Sequence, residues 1–104
     1  MFCVKIHKSQ HGIIVAICDE ELIEKNLKYG DISVHVSRDF YCERICDIGE
    51  VMLLMSEASC LNLIGKRIVE LAIKQGLIHR ESIIYLETED GEKIPHAIVQ
   101  LFSF

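Results

Sequence analysis

The residues able to do chemistry in this chain are spread along it. Cys42 and Cys46 are four apart, close enough on a helical turn to share a metal, but no second Cys or His pair completes the four ligands zinc requires. Five cysteines and five histidines offer many chance pairings for a thiol nucleophile, and none lies in a strand-to-helix elbow. Cys60, read as lying at the start of a long helix, is the thiol best placed to feel a helix dipole, although its position between Ser59 and Leu61 suits a packing role better. In Asn62-Leu63-Ile64-Gly65-Lys66-Arg67 a glycine interrupts a helical pattern, which implies close approach of a backbone or a ligand. Polar and basic neighbours near free N–H groups make an anion site conceivable there, without the ending of a phosphate-binding loop. His96 follows the single proline, Pro95, at a strand entry, where a rigid frame could hold it as proton donor, base or hydrogen-bonding group. Tyr41 is the polar aromatic that could line the same cleft.

The elements that must position these residues follow from periodicity. Phe2, Val4 and Ile6 alternate with Cys3, Lys5 and His7, a turn occupies Ser9–Gly12, and Ile13–Ile17 is a buried-strand run, so Met1 to Cys18 reads as a hairpin. Asp19 is expected to cap a short helix closed by Tyr29-Gly30-Asp31. A third strand spans Ile32 to Ser37, and Arg38–Tyr41 leads into a connection. Asp47 or the nearby turn starts a second helix, and Ser59 is expected to cap a third, running to about Gln75. Leu61, Ile64, Ile68, Leu71 and Ala72 form its core stripe, and Gly76 ends it. Two strands close the chain, Ser82 to Glu87 and Ile94 to Phe102, around a turn at Glu89-Asp90-Gly91-Glu92. The order strand, strand, helix, strand, helix, helix, strand, strand is that of an α+β single domain over residues 1–104, with a largely antiparallel sheet covered on one face by helices.

Composition bounds the function. The chain has 104 residues, half of them hydrophobic, and a formal charge of −5, which excludes a disordered chain and a basic nucleic-acid-coating protein. No apolar run is long enough to span a membrane and no secretory signal is evident at the N-terminus, so a cytoplasmic location is expected. In that compartment the cysteines are expected to be reduced, buried hydrophobes. The charge is uneven: residues 19–57 hold ten acids against four bases, whereas residues 58–80 carry Lys66, Arg67, Lys74 and Arg80 against Glu70 alone. That basic ridge could contact RNA or an acidic surface, or be a solvated helix face paired through Lys66, Glu70 and Lys74.

Several pieces together resemble a known family. Cys18-Asp19-Glu20-Glu21-Leu22, the Gly30-Asp31 turn, Phe40-Tyr41, Asn62-Leu63-Ile64-Gly65 continuing to Val69-Glu70-Leu71-Ala72, Gly76 and Pro95-His96-Ala97 are similar, in order and spacing, to a family of small archaeal proteins. The family is catalogued only as a domain of unknown function, number four-two-four in that series. The resemblance implies an archaeal, cytoplasmic α+β domain and assigns no reaction. The chain departs from the family pattern after Phe40-Tyr41, where Cys42-Glu43 replaces an expected glycine-rich turn. Carried over residue by residue, the polar motif members are Asp19, Tyr41, Asn62, Gly65 and His96, and their convergence in space would mark a pocket.

Three functions are therefore expected in descending order. The first is a non-catalytic interaction or assembly module with a protein partner or a second copy, since mean hydropathy of +0.26 is high for a lone small domain. The second is an RNA- or translation-associated binder using the basic ridge. The third is a small enzyme with a pocket around His96, Asn62 and Tyr41. No cofactor, metal or membrane is called for.

Overall fold

A computed structural model describes residues 1–101. Eight strands form one sheet: β1 (Phe2–Ser9), β2 (Gly12–Asp19), β3 (Asn26–Tyr29), β4 (Ile32–His35), β5 (Arg44–Cys46), β6 (Cys60–Ile64), β7 (Ile84–Glu87) and β8 (Lys93–Gln100). Their spatial order is β4-β3-β7-β8-β6-β2-β1-β5. Every pair is antiparallel except β2 with β6. The α+β class and largely antiparallel sheet are as the sequence implies. The expected end of the last strand at Phe102 lies outside the described residues.

The sheet is buried on both faces, unequally. On the first face α2 (Ile48–Glu57) and α3 (Lys66–Lys74) cover Phe2, Val4, Val15, Ile17, Leu61 and Leu63. The second face carries Cys3, Ala16, Cys18, Ile64, Leu86 and Ile94, packed beneath Leu22, Leu27, Val36 and the four-residue helix α1 (Arg38–Tyr41). Helices therefore lie on both sides rather than one.

Two expected helices are corrected. The segment after Asp19 is a single 3-10 turn, Glu20–Leu22, followed by strand β3, because Leu27 pairs with Val34 in a hairpin that buries it. The long helix from Ser59 to Gln75 is instead a strand, a break and a shorter helix. Leu61 and Leu63 face the first core while Asn62 and Ile64 face the other side, an alternation of period two. Cys60 thus sits on the sheet, away from any helix start. Asp47 caps α2 as expected, with a reciprocal capping box through Glu50. Gly76 closes α3 with a positive φ of 74°.

Candidate functional site

The five polar motif residues fall into two adjacent groups. The first is built at the break between β6 and α3. Asp19 ends β2, the parallel neighbour of β6, so its side chain reaches the first turn of α3 from 48 positions away. Its Oδ2 accepts from Arg67 N–H at 2.9 Å and its Oδ1 from Ile68 N–H at 3.0 Å. These are donors that a helix start leaves without partners. Asp19 does not cap the turn that follows it. Gly65 makes room for this arrangement, with φ at 126° and with any Cβ falling 2.6 Å from Asp19 Oδ2. Burial raises the Asp19 carboxyl above its ordinary value, outweighing those two N–H bonds and the Arg67 charge. The anion that this helix start accommodates is therefore the chain's own carboxylate.

The second group is a hub on the second sheet face. Asn62 lies on β6, His96 on β8 and Tyr41 at the end of α1, which folds back over β1 and β2. The Tyr41 hydroxyl donates to Asn62 Oδ1 at 2.7 Å, and His96 Nε2–H donates to the same oxygen at 3.0 Å. That assignment leaves His96 Nδ1 as an acceptor and the Asn62 amide as a donor. Among the described residues neither has a partner. Burial pushes the His96 imidazole below its ordinary value and the Tyr41 phenol above its own, so both are neutral at pH 7. Asn62 and His96 are half-buried, and the hub adjoins a part of the sheet that no helix among the described residues covers. There Ile14, Ile84 and Ile98 are 36%, 43% and 63% exposed. Sequence reasoning named the hub but missed these isoleucines; alternation along β8, with His96 and Ile98 on one face, was the available signal.

The basic ridge is largely occupied. Arg67 Nη2 pairs with Glu21 Oε1 at 2.6 Å, and its guanidinium lies over the Phe2 ring, 4.8 Å from the centroid. Lys66 pairs with Glu92 at 2.5 Å and Arg80 with Glu70 at 3.1 Å. The expected Lys66–Glu70–Lys74 pairing is replaced by these links to other segments.

The cysteine expectations also change. Cys3 and Cys42 form a disulfide, with Cα atoms 4.7 Å apart, because α1 returns the chain to β1. Cys42 is therefore no metal partner for Cys46, which is buried in the first core. Cys18 and Cys46 are the buried thiols expected, and burial pushes Cys18 up to about 12.

Comparisons with known proteins bear on the family and the fold. The model of the family described as "Protein of unknown function (DUF424)" matches residues 6–99. The chain belongs to that family. No curated protein matches it. The crystal structure of an uncharacterized conserved protein from Methanopyrus kandleri is similar to this DUF424 chain with a TM-score of 0.74 at 21% identity, over 99% of this chain and 93% of that one. At that identity the likeness shows the fold. Among the described residues of this DUF424 chain no helix is long and apolar enough to cross a membrane.

Proposed function

We propose that this archaeal chain is a non-catalytic assembly module of the cytoplasm that pairs with a second copy through the open half of its second sheet face. One observation carries the reading: three exposed isoleucines, Ile14, Ile84 and Ile98, surround a hub with an unused donor and an unused acceptor. The strand positions of that face on β2, β6, β7 and β8 include no Lys, Arg, Asp or Glu from Ile14 to Leu86. Two copies, each of charge −5, repel over most approaches but not over this one. A two-fold interface must be self-complementary, and Asn62 amide beside His96 Nδ1 supplies both halves of a reciprocal hydrogen bond. The pairing of Lys66, Arg67 and Arg80 with carboxylates of the same chain favours this reading over RNA contact.

Sedimentation velocity over a concentration series tests it. A reversible dimer is expected. Ile98→Glu should weaken it by about 10-fold or more, while Leu53→Glu on α2, equally exposed but on the first face, should leave it unchanged. A monomer at the highest soluble concentration overturns the reading.

The free His96 Nδ1 favours a second reading, a small-ligand pocket in which this nitrogen accepts a proton. It predicts a monomer whose His96 ring resonances move on ligand addition.

A further inference from the structure

α1 has four residues, too few for a helix to persist alone, so its position depends on what ties it to the sheet. Lys5 Nζ donates to Asp39 O at 2.7 Å, His7 Nε2–H donates to Phe40 O at 2.9 Å beneath a stacked Phe40 ring, and Glu43 N–H donates to Val4 O at 2.9 Å. Arg38 N–H donates to Glu24 Oε1 at 2.8 Å and the Tyr41 hydroxyl to Asn62 Oδ1, and a further tie is the bond between Cys3 and Cys42. It is the one covalent link, and it joins β1 to the residue following Tyr41, whose hydroxyl completes the Asn62 hub. Cys3 is 1% exposed, whereas Cys42, at the C-cap of α1, is only half-buried. An attacking thiol therefore reaches the pair from the side of Cys42, the less buried residue, rather than from that of Cys3. A disulfide reached from one side, in a chain read as cytoplasmic, stands in exchange with the thiols of that compartment.

We propose that Cys3–Cys42 is a redox latch that sets whether Tyr41 is held on Asn62. A dithiol is the reagent class. One of its thiolates attacks Cys42 Sγ; the new sulfur–sulfur bond forms as the bond to Cys3 breaks, and Cys3 leaves as a thiolate that takes up a proton. The second thiol of the reagent, as thiolate, then displaces Cys42, which is protonated in turn. The protein gains two electrons and two protons, and the reagent becomes its cyclic disulfide. Cys18 faces Cys3 across the β1–β2 register, but it is fully buried and its thiol stays protonated, so it does not intercept Cys3. Reoxidation thus returns the original pair. With the latch open, α1 keeps only its non-covalent ties, and the Tyr41 contact becomes one of its fluctuating ends. This inference depends on the hub geometry and not on the second-copy reading.

The test equilibrates the whole chain in dithiothreitol buffers of graded redox poise. Cys3 and Cys42 are scored by alkylation and mass spectrometry while the Tyr41 and His96 ring resonances are followed by NMR. The expected result is a folded protein at every poise, with both rings shifting at the same midpoint as cysteine reduction. Cys42→Ser and, independently, Cys3→Ala should hold the reduced ring positions in every buffer. The latch is overturned if the rings do not move on reduction, if a folded variant shows the oxidised positions, if the bond opens only on global unfolding, or if protein isolated without reductant carries both residues as thiols.

Discussion

The start of α3 and the Asn62 hub lie on neighbouring stretches of the same strand–helix unit, and both join residues far apart in sequence. They differ in what they leave unpaired. At the helix start each Asp19 oxygen meets a backbone N–H, and Gly65 is shaped around the carboxylate. In the hub one Asn62 oxygen takes two donors, while among the described residues the Asn62 amide and His96 Nδ1 have no partner, on a sheet face with exposed Ile14, Ile84 and Ile98. A closed arrangement of this sort stabilises the fold; an open one stabilises whatever binds it. Substitutions should therefore separate the two regions.

Gly65→Ala should have the largest effect on stability, about 3 kcal/mol or more in urea unfolding, because the positive φ is strained for any side chain and the new methyl displaces Asp19. Asp19→Ala should follow at about 2 kcal/mol, by loss of the cap at a buried helix start, and Asp19→Asn should lose less because one acceptor oxygen survives. Neither should alter the dimer constant of the folded fraction. Asn62→Ala and Tyr41→Phe should reverse this pattern, costing about 1 kcal/mol of stability but weakening self-association in sedimentation. Equal losses from both regions in both assays would erase the distinction.

The smallest effect is the pH dependence of His96. Its folded value is lowered by burial from an ordinary 6.5, so the unfolded chain binds more protons between the two values and stability rises with pH there. The neutral-imidazole contribution is complete above about 6.5 and is lost as pH falls toward the folded value. Self-association should weaken over the same range, since protonated His96 removes the Nδ1 acceptor and sets like charges against each other. His96→Gln should flatten both profiles.

The first and last hairpins, the Asp47 cap and the Gly76 stop were legible because local signals decide them: alternation, a capping box and a left-handed glycine. The segment from Cys60 to Ile64 was not. A short run that is apolar except for Asn62 shows too little alternation to reveal its period, and joined to the truly helical residues 66–74 it mimics one continuous helix. Gly65 was visible as an anomaly, but its reason, the Asp19 carboxylate, arrives from β2. The disulfide was equally hidden. Spacing pointed Cys42 toward Cys46, and only the return of α1 to β1 brings it to Cys3.

By itself the sequence determined the α+β class, the charge distribution, the family and the five polar motif residues. Tertiary structure alone decided how they divide. Asp19 and Gly65 are consumed by a helix start, Lys66, Arg67 and Arg80 of the basic ridge by their carboxylate partners, and Tyr41, Asn62 and His96 meet beside three exposed isoleucines. The physical reason is that chain periodicity fixes which face a side chain takes on its own element. Which strands lie side by side, and so which side chains meet, depends on long-range pairing such as β2 with β6.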